Sequence, residues 1–176
     1  TSMTAAELIQ VGNNITGVAT GGISGVTFTI TDATSDASRS AIFEGLTDDQ
    51  AQAILTKVDA TAVTITGNAT ADWIDLSGLE TAGVNFTING LAGANVIYSG
   101  DGNDTITTGT GNDFIHVGGG RDTVVAGDGN DIIAVGSLES VNGSSYSGGV
   151  GADTINLTVD GAVDTVHLTV NNGTDT

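Results

Sequence analysis

Residues 99–136 read "SGDGNDTITTGTGNDFIHVGGGRDTVVAGDGNDIIAVG". An acidic residue returns every nine positions, at Asp104, Asp113, Asp122 and Asp131. A glycine stands two residues before each, and a short β-prone run follows. The centres of those runs, Ile106, Ile115, Val124 and Ile133, are apolar, and their neighbours are mostly polar or small. This is the pattern of a three-residue strand with one inward side chain.

The remaining six residues of each unit must turn. Gly100, Gly102, Gly109, Gly111, Gly118, Gly120, Gly127 and Gly129 supply residues that tolerate positive φ. Turn, strand, turn, strand makes a coil of eighteen residues. Successive coils stack their strands in parallel, about 4.8 Å apart. Turns two units apart then lie on the same edge, so Asp104 is expected near Asp122, and Asp113 near Asp131.

Outward from this core the pattern weakens. "ADWIDL", "GVNFTI" and "GANVIY" read as imperfect units, with Asp72, Asn85 and Asn95 expected at the turn position. After Gly136 the period breaks. "SLESVNGSSYS" reads as an insertion, near 137–147, and "GGVGADTIN" restores the unit at Asp153. A degenerate copy, "VDGAVDTVH", follows. Residues 1–66 look different, a mixed β/α segment. The capping-box spacing of Thr4 and Glu7 predicts a short helix, and "TDDQAQAILTKV" at 47–58 predicts a second, amphipathic one. "VTFTIT" and "TAVTITG" read as strands. The expected division is thus 1–66 and 67–176.

Composition sets limits on partners. The 176 residues carry 21 acidic against three basic side chains, a net charge of −18. That balance argues against nucleic acid and anionic membranes, which need basic surface. No apolar run is long enough to span a bilayer. The absence of Cys excludes disulfides and thiolate metal sites. The start "TSMTAAELIQ" lacks the basic and apolar regions of a signal peptide, and the chain reads as a piece of a longer protein.

Stacked carboxylates repel one another in a partly dry site. A divalent cation between the turns reverses that effect. Calcium suits best, because it accepts six to eight oxygens in flexible geometry, and carboxylates and turn carbonyls are the plentiful donors here. Two His and no Cys disfavour zinc.

The units "SGDGNDTIT", "TGTGNDFIH", "VGGGRDTVV", "AGDGNDIIA" and "GGVGADTIN" resemble the repeats-in-toxin (RTX) nonapeptide G-G-x-G-x-D-x-U-x, a calcium-binding parallel β-helix. The resemblance implies a mainly β fold, a right-handed parallel β-roll or β-helix solenoid with calcium in its turns. Its implied ligand scheme combines odd-position carbonyls of one turn with even-position carbonyls and the aspartate of the stacked turn. One site would use Ser99, Asp101 and Asn103 with Gly118, Gly120 and Asp122. The next would use Thr108, Thr110 and Asn112 with Gly127, Gly129 and Asp131. A third would use Gly90, Ala92 and Ala94 with Gly109, Gly111 and Asp113. Asp104 and Asp153 hold the equivalent acidic position in their units, and Asp101 and Asp128 would add side-chain oxygens. Asn95 replaces an expected aspartate and would bind calcium less strongly.

His116 and His167 read as surface histidines, Trp73 and Phe114 as packing residues, and Asp48 and Asp49 as helix-start charges. No H-E-x-x-H, G-x-S-x-G, P-loop or helix–loop–helix calcium motif is present. The resemblance therefore implies a non-enzymatic, calcium-dependent segment of a large bacterial protein that leaves by type I secretion and folds outside the cell. Surface-layer assembly is the first expected role and adhesion the second, with self-association, neighbouring repeats or cell-surface polysaccharide as partners. The alternative is the C-terminal calcium module of a secreted metalloprotease or lipase whose catalytic region lies elsewhere.

Overall fold

The structure is a computed structural model that describes residues 2–3, 26–29, 62–77, 84–136 and 143–157. The two expected helices, the degenerate copy after residue 158, His167, Asp48 and Asp49 lie outside the described residues.

Short apolar triplets separated by glycine turns give strands and no helix among the described residues. In chain order these are β1 Ser2–Met3, β2 Val26–Thr29, β3 Ala62–Thr66, β4 Trp73–Asp75, β5 Asn85–Leu91 and β6 Val96–Tyr98. They continue as β7 Thr105–Thr108, β8 Phe114–Val117, β9 Thr123–Asp128, β10 Ile132–Val135, β11 Ser145–Val150 and β12 Thr154–Leu157. Two parallel sheets result. One runs β1-β2-β3-β5-β7-β9-β11 and the other β12-β10-β8-β6-β4. From β3 onward, successive strands alternate between the sheets, so each odd–even pair is one coil of a β-roll. The seven-stranded sheet runs without a break across residues 66 and 67, because β3 pairs in register with β5.

The core lies between the sheets. The apolar centre of each triplet points inward: Ile65, Ile74, Ile88, Ile97, Ile106, Ile115, Val124, Ile133 and, in the last complete coil, Tyr146. The sequence reading of one inward side chain per unit is too few. Val117, Ala126, Val135 and Thr108 are also buried, because the strand continues one alternation into the next unit. Burying each isoleucine contributes about 1.5–3 kcal/mol. One coil has too few such residues to stand alone, so stability comes from stacking, as in other solenoids.

Coil length varies only at the ends. The central coils repeat at eighteen residues, seen in the bond from the Asp104 amide to Asp122. The coil before Asn95 has 23 residues and the coil before Ser144 has 22. The expected insertion is therefore shorter than it looked. "SYS" at 145–147 is not part of it but forms β11, with Tyr146 paired to Val124. Trp73 and Phe114 are packing residues of the outer face rather than the core. Phe114 lies with its ring centroid 5.8 Å from that of Tyr98, which in turn is 5.6 Å from His116.

Candidate metal centre

Each turn enters the roll through the glycine two residues before the acid. Gly102, Gly111, Gly120, Gly129 and Gly151 all have φ between 114° and 149°. A Cβ on Gly120 would also collide with the carbonyl oxygen of Gly102, and one on Gly129 with that of Gly111. The earlier glycine of the turn varies: Gly100, Gly127 and Gly149 have φ between 76° and 104°, whereas two others obey a different constraint. Gly109 and Gly118 do not adopt positive φ, contrary to the sequence reading. They are required because a Cβ there would meet the carbonyl oxygens of Leu91 and Gly100 in the preceding coil.

The acids stack as two ladders, one on each edge. On one edge the Phe86 amide donates to Asp104 Oδ1 at 2.8 Å, and the Asp104 amide donates to Asp122 Oδ1 at 3.0 Å. On the other, the amides of Asn95, Asp113 and Asp131 donate to Oδ1 of Asp113, Asp131 and Asp153 at 2.7, 2.8 and 3.0 Å. Every acid thus reaches back to the same position of the preceding coil. The asparagines one residue earlier run the opposite way. Asn103 Oδ1 accepts from the Arg121 amide, Asn112 from Asn130, and Asn130 from Ala152. The Asp101 carboxylate likewise accepts from the Gly119 amide.

These ladders correct one assignment. Asn85 is not at the acid position: its Oδ1 accepts from the Asn103 amide, and Phe86 takes the acid's place below Asp104. The acid edge therefore begins on an apolar residue. Asp72 does hold the acid position below Asn95, whose Oδ1 accepts from the Asp72 amide. Its own oxygens are both taken by Asn68, through the backbone amide and the side-chain amide.

The remaining oxygens define the site. Asp104, Asp113, Asp122 and Asp131 are each at most 2% exposed. Their Oδ2 atoms, and that of Asp153, are buried without a hydrogen-bond partner. Ser99 lies close to Asp104, but its hydroxyl points to the Gly100 carbonyl at 3.5 Å and leaves Oδ2 open. Leaving a buried charged acceptor unmatched is strongly unfavourable. Asp104, Asp122 and Asp131 accordingly hold their protons longer than usual. Burial pushes the Asp122 carboxyl up to about 7, with the neighbouring charges of Asp104 and Asp101 adding to it. Burial likewise raises Asp104 to about 6 and raises Asp131, beside Asp113 and Asp153.

The carbonyls complete the donor set. The carbonyl oxygens of Gly100 and Gly102 lie where a Cβ on Gly118 and Gly120 of the following coil would stand, and those of Gly109 and Gly111 lie likewise against Gly127 and Gly129. From the other side, the carbonyls of Gly119 and Asp128 point back and accept from the amides of Gly102 and Gly111. Spacing gives the stacking of these turns but not the direction of a carbonyl.

Among the described residues, no three acidic or histidine side chains converge on one point. One carboxylate per turn among several carbonyls is an oxygen-only, weakly charged donor set. It fits a hard cation of high coordination number such as calcium and does not fit zinc. Among the described residues, no helix is long and apolar enough to cross a membrane.

The family model for the RTX calcium-binding nonapeptide repeat, in four copies, matches residues 87–115 and 107–137. No curated protein and no solved structure matches the chain. The matched span covers β6 through β10 and both acid ladders at their centre, with their buried carboxylate oxygens. Residues 87–137 are thus RTX calcium-binding nonapeptide repeats, and such repeats bind several calcium ions.

Proposed function

We propose that this chain is a calcium-dependent structural segment of a large secreted bacterial cell-surface protein, serving surface-layer assembly or adhesion. The observation that carries the reading is the set of buried, partnerless Oδ2 atoms on Asp104, Asp113, Asp122, Asp131 and Asp153. In a chain of net charge −18, such a core is stable only with cations in place. The described residues are spent on building this scaffold, and calcium outside the cell supplies the folding signal.

The ligands of the central site are drawn from the two coils that meet between Asp104 and Asp122: Ser99, Asp101 and Asn103 on one side, Gly118, Gly120 and Asp122 on the other. The equivalent site on the opposite edge draws on Thr108, Thr110 and Asn112 with Gly127, Gly129 and Asp131, with a side-chain oxygen from Asp128, and a third on Gly90, Ala92 and Ala94 with Gly109, Gly111 and Asp113. Asp113 and Asp153 serve the gaps on either side of it. When bound, the ion supplies positive charge between the coils. The turn carbonyls orient it and the aspartate neutralises it.

The test is to compare circular dichroism, hydrodynamic size and protease resistance with calcium and with chelator, then to look for sheets by electron microscopy. Calcium should produce β signal, compaction and resistance across 84–157. Binding only to the folded state must raise its stability. Identical behaviour in chelator would sink the calcium reading. Folding without any ordered assembly of the full-length protein at millimolar calcium would sink the surface-layer role and leave the calcium role standing.

A further inference from the structure

The two outer faces of the roll have different chemistry. The five-stranded sheet presents Val96, Tyr98, Phe114, His116 and Ile132. The seven-stranded sheet presents two straight rows of small uncharged side chains, polar but for one valine. Register places Thr64, Thr87, Thr105, Thr123 and Ser145 side by side in one row. Thr66, Asn89, Thr107, Val125 and Ser147 form the other. Neither row contains a charge, although the chain carries −18. Thr87, Thr105, Thr107, Thr123, Val125 and Ser145 are exposed. No hydrogen bond between described residues engages the hydroxyls of Thr87, Thr105, Thr107 or Thr123.

This face is a two-dimensional net. Neighbouring strands are about 4.8 Å apart, and alternate residues along one strand are about 6.6 Å apart. The register shift in this sheet falls between Asn89 and Leu91, outside the four pairings of either row. Threonine is stiff at χ1, so its methyl and hydroxyl have few orientations open to them. The scaffold behind the net is held by the stacked turns and cannot ripple freely.

We propose that this face binds ice. The prism surface of ice is a neutral net of oxygens whose two repeat distances lie close to the two spacings of the threonine rows. A hydroxyl at eight of the ten nodes, all but Asn89 and Val125, can join the first water layer, and at each threonine the methyl beside it fills the space between waters. The lack of charge is the complementary feature, since a charged side chain orders its own hydration shell and breaks such a layer. Protein partners are usually anchored by aromatic residues or arginine. Neither type occurs in these rows, which disfavours a protein on this face. The inference goes beyond the calcium reading and concerns a different surface of the roll.

The experiment partitions the calcium-saturated protein between a slowly growing ice front and the remaining liquid, and measures thermal hysteresis on the same sample. The wild type should be enriched in ice, whereas Thr105→Tyr and Thr123→Tyr should fall to the level of an unrelated protein. Thr154→Tyr, on the outer face of the other sheet, should behave as wild type. Circular dichroism of each sample reports whether the roll is intact. Should a tyrosine variant lose its β signal, the paired change Thr105→Val and Thr123→Val takes its place and should lower hysteresis several-fold. Exclusion of the folded wild type from ice would overturn the proposal, as would equal enrichment of the folded Thr105→Tyr or Thr123→Tyr variant. A roll that keeps its β signal in chelator and still enters ice would overturn only the calcium reading.

Discussion

Asp122 accepts a hydrogen bond from the Asp104 amide through Oδ1 at 3.0 Å, while its Oδ2 is buried with no partner at all. The two oxygens of one carboxylate therefore have separate tasks. One sets the stacking of coils. The other is left for a cation.

That division makes Asp122→Asn and Asp131→Asn informative. An asparagine keeps an Oδ1 for the preceding amide, as Asn95 does for Asp72. It removes the negative oxygen. Both variants should weaken calcium affinity at least tenfold and lower the calcium-bound melting temperature, even though net charge falls. Asp75→Asn, whose carboxylate only caps Ser77, should leave both unchanged. Calorimetric calcium titration of the four proteins checks this, and superimposable isotherms would refute the site.

Gly120→Ala should be more damaging than any single acid-to-amide change. Gly120 has φ 114°, and its Cβ would strike the Gly102 carbonyl, a backbone atom that cannot step aside. Backbone strain of this kind costs about 1–3 kcal/mol before the collision is added. A loss above about 2 kcal/mol in calcium is expected. Chemical denaturation with calcium present measures it.

Leu91 is the mirror case. It has φ 60° at the turn position that Gly100, Gly127 and Gly149 occupy with positive φ in other coils. A non-glycine residue there costs about 1–2 kcal/mol. The side chain is 37% exposed, so it recovers only part of that cost by packing. Leu91→Gly should stabilise the roll by about 0.5–1 kcal/mol, the relief being partly offset by a freer unfolded chain. Leu91→Ala keeps the strain and should not stabilise. Paired denaturation curves distinguish the two.

Without calcium, acid should favour the roll. The folded carboxyls of Asp104 and Asp122 are raised to about 6 and about 7, from 3.8. Groups raised in this way bind more protons folded than unfolded. Their contribution is full below pH 3.8 and is lost as pH rises through about 6 and 7. In chelator the melting temperature should therefore climb as pH falls from 8 to 5. With limiting calcium the trend reverses, because protons compete for the same oxygens. Thermal melts at several pH values, with and without chelator, show both slopes.

Much of this was legible in the sequence. The nine-residue return of Asp104, Asp113, Asp122 and Asp131 was enough for the coil, the parallel sheets and the stacked acids. The limits had physical causes. Asn85 was misplaced by one position because the preceding unit carries Phe86 where an acid should be, and an amide beside a phenylalanine gives no phase. "SYS" was taken for loop because hydroxyl residues flank its core tyrosine and no acid stands nearby. Asp72 looked like another repeat acid, but a local asparagine, Asn68, already occupies its oxygens.

The unequal coils have one further consequence. In an array this regular, a slip of one full coil would exchange near-identical neighbours: Asp104 for Asp122, Ile106 for Val124, Gly102 for Gly120. Such a misthreaded chain would lose few contacts, and nothing in the repeat itself tells one alignment from another. The distinguishing marks are the exceptions. Phe86 stands where an acid would be, Asn95 is neutral, and the coils of 23 and 22 residues bracket the central run. The repeats supply the bonding, and these irregular residues supply the address at which each coil must close.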